Sequence, residues 1–169
     1  MCIYSVNSFK VKIYLLSMDK TFLRMQVRVI TQPDEPTQPF EDSFSFLYTD
    51  KKEPFTLEVD SFLNITEQKQ HIITAVFQKA RHIRYAVDTL FTQLSEAQIK
   101  ELLEQVDSRL DDECHFFIRF EKEAFLKKEF ILTQSGDCIH IMLSVAAYPS
   151  RKEIAQPLVE NYLNSKLNK

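Results

Sequence analysis

From Phe22 to Ile30 apolar and polar residues alternate, with Leu23, Met25, Val27 and Val29 on one side and Arg24, Gln26 and Arg28 on the other. That period of two predicts a half-buried strand. Pro33, Pro36 and Pro39 follow and force a turn, and a short helix over about 40–47 fits after them. Alternation returns at 55–63, and 72–78 is rich in β-formers, so these predict a strand pair joined by a polar turn. The period then changes. Ile83, Val87, Leu90 and Leu94 lie at helical spacing and predict a helix over 81–94. Ser95 reads as the N-cap of a second helix carrying Ile99, Leu102, Leu103, Val106 and Leu110.

Residues 114–120 predict a strand with Phe116, Ile118 and Phe120 inward and His115, Phe117 and Arg119 on the opposite face. Residues 130–133 and 139–145 predict a pair of strands joined across Gly136 and Asp137. Ser150 and Glu153 have the spacing of a capping box that opens a final helix to about Leu163. Pro157 inside that helix predicts a kink or a delayed regular part. An interrupted antiparallel sheet with helices able to cover only one face is a two-layer α+β fold. Residues 21–169 are read as a single domain and 1–20 as an N-terminal extension, with Met18 or Met25 as alternative starts.

Composition narrows the function. A chain of 169 residues with 44% hydrophobic residues and 14 Phe can bury a real core and is not a disordered segment. Gly136 is the only glycine, which removes the Gly-rich phosphate loop, the dinucleotide fingerprint and the nucleophile elbow. Cys2, Cys114 and Cys138 lack CxxC spacing, so a disulfide framework is not expected and a reducing, cytoplasmic setting is. The apolar run at 11–16 is too short to span a membrane, and no small-residue cleavage site follows it.

The net charge of −3 argues against non-specific coating of nucleic acid. Its distribution is uneven: residues 1–68 hold 7 Lys and Arg against 10 Asp and Glu, whereas 69–169 hold 14 of each. A polyanion site must therefore be a local patch.

Three kinds of chemistry compete for the remaining polar residues. Asp107, Asp111, Asp112 and Glu113 cluster at a helix end, where carboxylates can hold Mg²⁺ for phosphodiester cleavage. A second cluster to close a two-metal site is missing, so the chain reads as a non-enzyme. Strand parity puts Cys138 and His140 on one face with His115 near, a candidate Zn²⁺ set, but a fourth ligand is lacking. No metal or other cofactor is expected. The third kind is phosphate recognition by separated basic clusters. Arg81 and Arg84 share one helix face beside Lys79 and His82. Lys122, Lys127 and Lys128 follow the Phe120 strand. Arg151 and Lys152 open the last helix, where a cation opposes the helix dipole unless phosphate meets it together with the free N–H groups. Arg24, Arg28, His115 and Arg119 join them from the non-core face of the sheet. Phe117 on that face is expected to be covered, or else to stack a base.

The runs DDEC (Asp111–Cys114), FIRFEK (Phe117–Lys122), SGDCIHI (Ser135–Ile141) and AAYPSRKE (Ala146–Glu153) keep the order and spacing of a known family. In them the chain resembles archaeal proteins described as predicted exosome subunits, or as RNA-binding proteins with a double-stranded-RNA-binding-domain-like fold. The likeness is looser over 72–110 and weak before that. It departs from the family in the 66–71 turn, which contains glycine there and none here. The resemblance implies a fold similar to double-stranded-RNA-binding domains and to the ribosomal protein that binds five-S RNA. It also implies a non-catalytic protein that takes duplex or structured RNA as its partner, in a complex of RNA processing or exosome-linked degradation. With it, the expected phosphate contacts are Arg81, Arg84, Arg119, Lys122, Lys127, Lys128, Arg151 and Lys152. The alternative is a protein-interaction module whose acidic first half docks a basic partner.

Overall fold

A computed structural model describes residues 21–48 and 55–167, so the extension read over 1–20 lies outside the described residues. Five strands form one antiparallel sheet in the order β2-β3-β1-β5-β4. They are β1 (Phe22–Ile30), β2 (Thr56–Leu63), β3 (Lys69–Phe77), β4 (His115–Glu121) and β5 (Cys138–Val145). The helices are α1 (Gln38–Ser45), α2 (Ala80–Phe91), α3 (Glu96–Glu104), α4 (Val106–Arg109), α5 (Lys122–Leu126) and α6 (Lys152–Leu167). The α+β architecture is the expected one. Inward positions alternate along each central strand: Met25, Val27 and Val29 on β1, Ile139, Ile141 and Leu143 on β5, and Phe116, Ile118 and Phe120 on β4 are buried under the helices. The intervening residues form an open face.

Four local expectations change, each for a physical reason. Leu23 is 60% exposed, because a bulge between Phe22 and Arg24 in the β1–β5 register shifts parity by one residue. Phe22 fills the core in its place, edge-on to Tyr162 at 5.1 Å. Residues 130–133 do not pair with β5, since β1 and β4 already occupy both of its edges. They lie along the outer edge of β4, where the Glu121 N–H donates to the Ile131 carbonyl and the Thr133 N–H to the Arg119 carbonyl, each at 3.0 Å. Ser150 does not cap α6. Its hydroxyl turns to Cys114 Sγ at 3.4 Å, and the Arg151 carbonyl takes the first intrahelical bonds from Ile154 and Ala155. Pro157 does not delay α6, which starts at Lys152 and runs through it to Leu167.

Ser95 does cap α3: its hydroxyl accepts from the Gln98 N–H while the Gln98 side chain accepts from the Ser95 N–H. The glycine-free turn between β2 and β3 is held by Asn64, whose carboxamide oxygen accepts from the N–H groups of Thr66 and Gln68 at 3.0 and 2.9 Å. Glu67 there adopts the left-handed region at φ 57° that glycine would take freely.

The two sheet edges differ. On β4, the Asp111 N–H donates to His115 and the Thr133 N–H to Arg119, while Arg109 Nη1 lies 3.5 Å from the Phe117 carbonyl. That cover blunts the edge against strand addition. Among the described residues β2 pairs only with β3.

Candidate nucleic-acid interface

The β1, β5 and β4 register sets side chains in rungs across the open face. Arg28 and Arg119 are the direct cross-strand partners of His140, one on each side. The next rung carries Gln26, Met142 and Phe117, and the one beyond it Arg24, Ser144 and His115. Cross-strand neighbours on one face lie about 5 Å apart at Cβ, so two like charges here flank a single imidazole. Among the described residues neither guanidinium has an ion-pair partner. Burial, then Arg119 and Arg28, push the His140 pKa below its ordinary value, so the ring between the arginines is neutral. The Phe117 ring stacks beside it at 5.3 Å and 23°. On the far side of the sheet Glu58 and Asp60 on β2 give the same face an acidic margin.

The structure does not gather the expected contact residues into one surface. Lys122 belongs to the fold. It is 7% exposed, ion-paired with Asp137 and with Glu35 at 3.2 Å, and sits over the Phe40 ring. Burial raises the Asp137 carboxyl, but hydrogen bonds from Lys122 and Gln32 outweigh it and hold that pKa low. Strand parity carried one step past Phe120 and Glu121 already puts residue 122 on the core side. Lys122→Met is therefore expected to lower stability by about 2 kcal/mol, less than for a fully buried pair because both acids are partly wet. Urea unfolding measures that loss, and the salt dependence of RNA binding should be unchanged.

Lys127 and Lys128 follow α5 at the C-terminal end of β4, with Lys128 near the Phe46 ring at 5.9 Å. Arg81 and Arg84 begin α2 beyond the C-terminal end of β3, and Arg151 and Lys152 follow the C-terminal end of β5. In an antiparallel sheet of this register those two starts share one end, and Lys127 and Lys128 lie at the other. Lys152 is paired with Asp107 at 3.0 Å. Of the expected set, Arg119 alone stands on the open face, in line with Arg28.

The competing chemistries disperse in the same way. Asp111 turns to His115 Nδ1 at 3.2 Å and Asp107 to Lys152, so the acidic helix end is divided between two partners. Cys138, His140 and His115 do share a face, but His115 pairs with Ser144 and His140 with Arg119, which sets them two rungs apart. Among the described residues no group of three His, Cys, Asp or Glu side chains could hold a metal ion. Burial raises the Cys138 pKa and keeps the thiol protonated.

Sequence reasoning missed Arg109. It lies on the apolar stripe of the α3–α4 segment, three residues after Val106, and is 8% exposed. A cation on an otherwise apolar stripe was the available signal.

An antiparallel sheet with helices on one face and an arginine-flanked open face on the other fits a class of polyanion-binding α+β proteins. The family model described as RNA binding matches residues 24–145, and the chain belongs to that family. RNA-binding protein PAB1135 from Pyrococcus abyssi is 29% identical over 92 residues, which cover 54% of this chain and 60% of that protein. The chain thus aligns with less than two thirds of that relative. Two solved structures share the fold. Protein AF2318 from Archaeglobus fulgidus superposes with a TM-score of 0.73 at 21% identity, over 83% of this chain and 99% of that one. Mth689, a DUF54 protein from Methanothermobacter thermautotrophicus, gives 0.69 at 18% identity, over 85% and 99%. Among the described residues no helix is long and apolar enough to cross a membrane.

Proposed function

We propose that this protein binds structured RNA without cleaving it, with Arg24, Arg28 and Arg119 contacting backbone phosphates. The observation that carries this is the Arg28–His140–Arg119 rung, two unpaired guanidinium groups that flank one imidazole on an exposed face. Two cations on one exposed rung raise the local positive potential, which an anion lying across it neutralises. Family membership and the likeness to RNA-binding protein PAB1135 support RNA as that anion. Duplex RNA offers regularly spaced phosphates that a few cations recognise without base-specific pockets. The family resemblance extends the reading to a fold of the double-stranded-RNA-binding kind, residues 21–169 acting as one unit, and a cytoplasmic accessory role in RNA processing or exosome-linked decay.

The test is fluorescence anisotropy of labelled duplex and single-stranded RNA at several salt concentrations. Three phosphate contacts predict that log K falls with log salt at a slope of about −2 to −3. No saturable binding at low salt would end the RNA reading.

A pH dependence follows from His140. Its folded pKa lies below the unfolded value, so the unfolded chain binds the proton more readily and the fold loses stability as pH falls through the ordinary histidine range. Phosphate beside the ring favours the protonated form, so RNA affinity should rise over the same fall in pH. His140→Gln should remove that rise. An unchanged pH profile in the variant would place the phosphates away from this rung.

A second reading is favoured by β2. Glu58 and Asp60 lie beside exposed Val59 and Leu63 on a strand paired on one side only among the described residues, an edge suited to a basic, extended protein segment.

A further inference from the structure

Where α3 and α4 meet, and where residues 133–134 pass β4, the chain borders a half-open cavity of ≈ 790 Å³ on the open face. Gln105, Arg109, Phe117, Arg119, Gln134 and His140 line it. That volume is in the range of small-ligand sites, about 300–1,000 Å³. Its chemistry is divided. Phe117 and His140 supply a stacked pair of rings, while Arg109 and Arg119 supply charge.

Arg109 is the informative member. Its Nε donates to Gln105 Oε1 at 2.8 Å, which fixes the guanidinium plane. Its Nη2 is buried without a hydrogen-bond acceptor and is ion-paired at 3.9 Å with the Glu101 carboxylate. A buried donor left without an acceptor is rare in folded proteins and costly. Burial lowers the Arg109 pKa, Glu101 opposes that, and Arg119 adds to the lowering, so the two guanidinium groups repel across this site. An anion between them answers the repulsion. Gln134 is held loosely, 3.5 Å from Gln105 Oε1, and keeps a donor and an acceptor for a planar polar edge.

We propose that this cavity receives one unpaired RNA nucleotide, its base against Phe117 and His140 and its phosphate between Arg109 and Arg119. The inference rests on the RNA-binding reading and deepens it. Paired bases are stacked inside a duplex and cannot enter, whereas a base at an end, bulge or loop can be splayed onto an aromatic side chain. The cavity adjoins the arginine rung through Arg119 and His140, so a duplex lying on the face would deliver its unpaired end here.

The experiment compares one blunt RNA duplex with the same duplex carrying an unpaired overhang, by anisotropy, for the wild-type chain, Phe117→Ala and Gln134→Ala. Circular dichroism confirms that each variant is folded. The overhang should tighten wild-type binding about tenfold, in line with stacking of one base. Phe117→Ala should abolish the gain and Gln134→Ala reduce it, with blunt-duplex affinity unchanged in both. Equal binding of the two duplexes by the wild-type chain overturns the inference and leaves the RNA reading standing. So does a gain that both variants retain. If neither duplex nor single-stranded RNA binds, the RNA reading itself has failed, and the inference with it.

Discussion

Reversing both charges in R28E/R119E is expected to weaken RNA binding at least about tenfold at moderate salt and to reduce the log–log salt slope by about 2. The reason is geometric. Arg28 and Arg119 pair with opposite sides of His140, on strands held in register by β5, so both charges act on one stretch of backbone. Neither side chain supports the core, and exposed substitutions of this kind usually change stability by no more than about 0.5 kcal/mol. The unfolding midpoint should therefore stay where it is while affinity falls. R28Q/R119Q should lie between the two, because it removes attraction without adding repulsion. If the slope in the reversed variant equals that of the wild-type chain, the phosphates lie elsewhere, and the helix-end clusters at Arg81, Arg84 and Arg151 become the next candidates.

Phe125→Ala carries the largest expected effect on stability, a loss of about 3–5 kcal/mol. Phe125 is fully buried and its ring meets those of Phe44, Phe46, Phe120 and Phe130 with centroids 5.4 to 6.2 Å apart. It joins α1, α5 and the segment beside β4 in one aromatic cluster, and truncation leaves a void that four rigid rings cannot close. For a chain of this size the loss corresponds to a melting temperature lower by about 6–20 °C. Thermal and urea unfolding both measure it. A fall of less than about 1 kcal/mol would mean that the cluster collapses around the void.

The two sites were legible to different degrees. Arg24, Arg28, His115, Phe117 and Arg119 could be placed on one face from strand parity alone, because side-chain direction in a strand depends only on odd or even position. Which of them stand side by side could not, since that requires the order β1-β5-β4 and its register. Lys122 was misjudged by composition, which records a cation as surface charge, although its parity pointed inward. Arg109 and Gln134 are far apart in the chain and meet only because both segments cover the same edge of β4.

By itself the sequence determined the two-layer class, most element positions, the α3 capping box and the inward faces of the central strands. These follow from periodicity and local hydrogen bonding, which act over a few residues. Only the tertiary structure decided that 130–133 lies on β4 and not on β5, that Ser150 serves Cys114 and not a helix end, that Lys122 is buried, and that Arg28 and Arg119 flank one histidine. Each of those outcomes is a competition between partners distant in sequence. It is settled by which edges and cavities remain once the core has packed, and no local pattern encodes that.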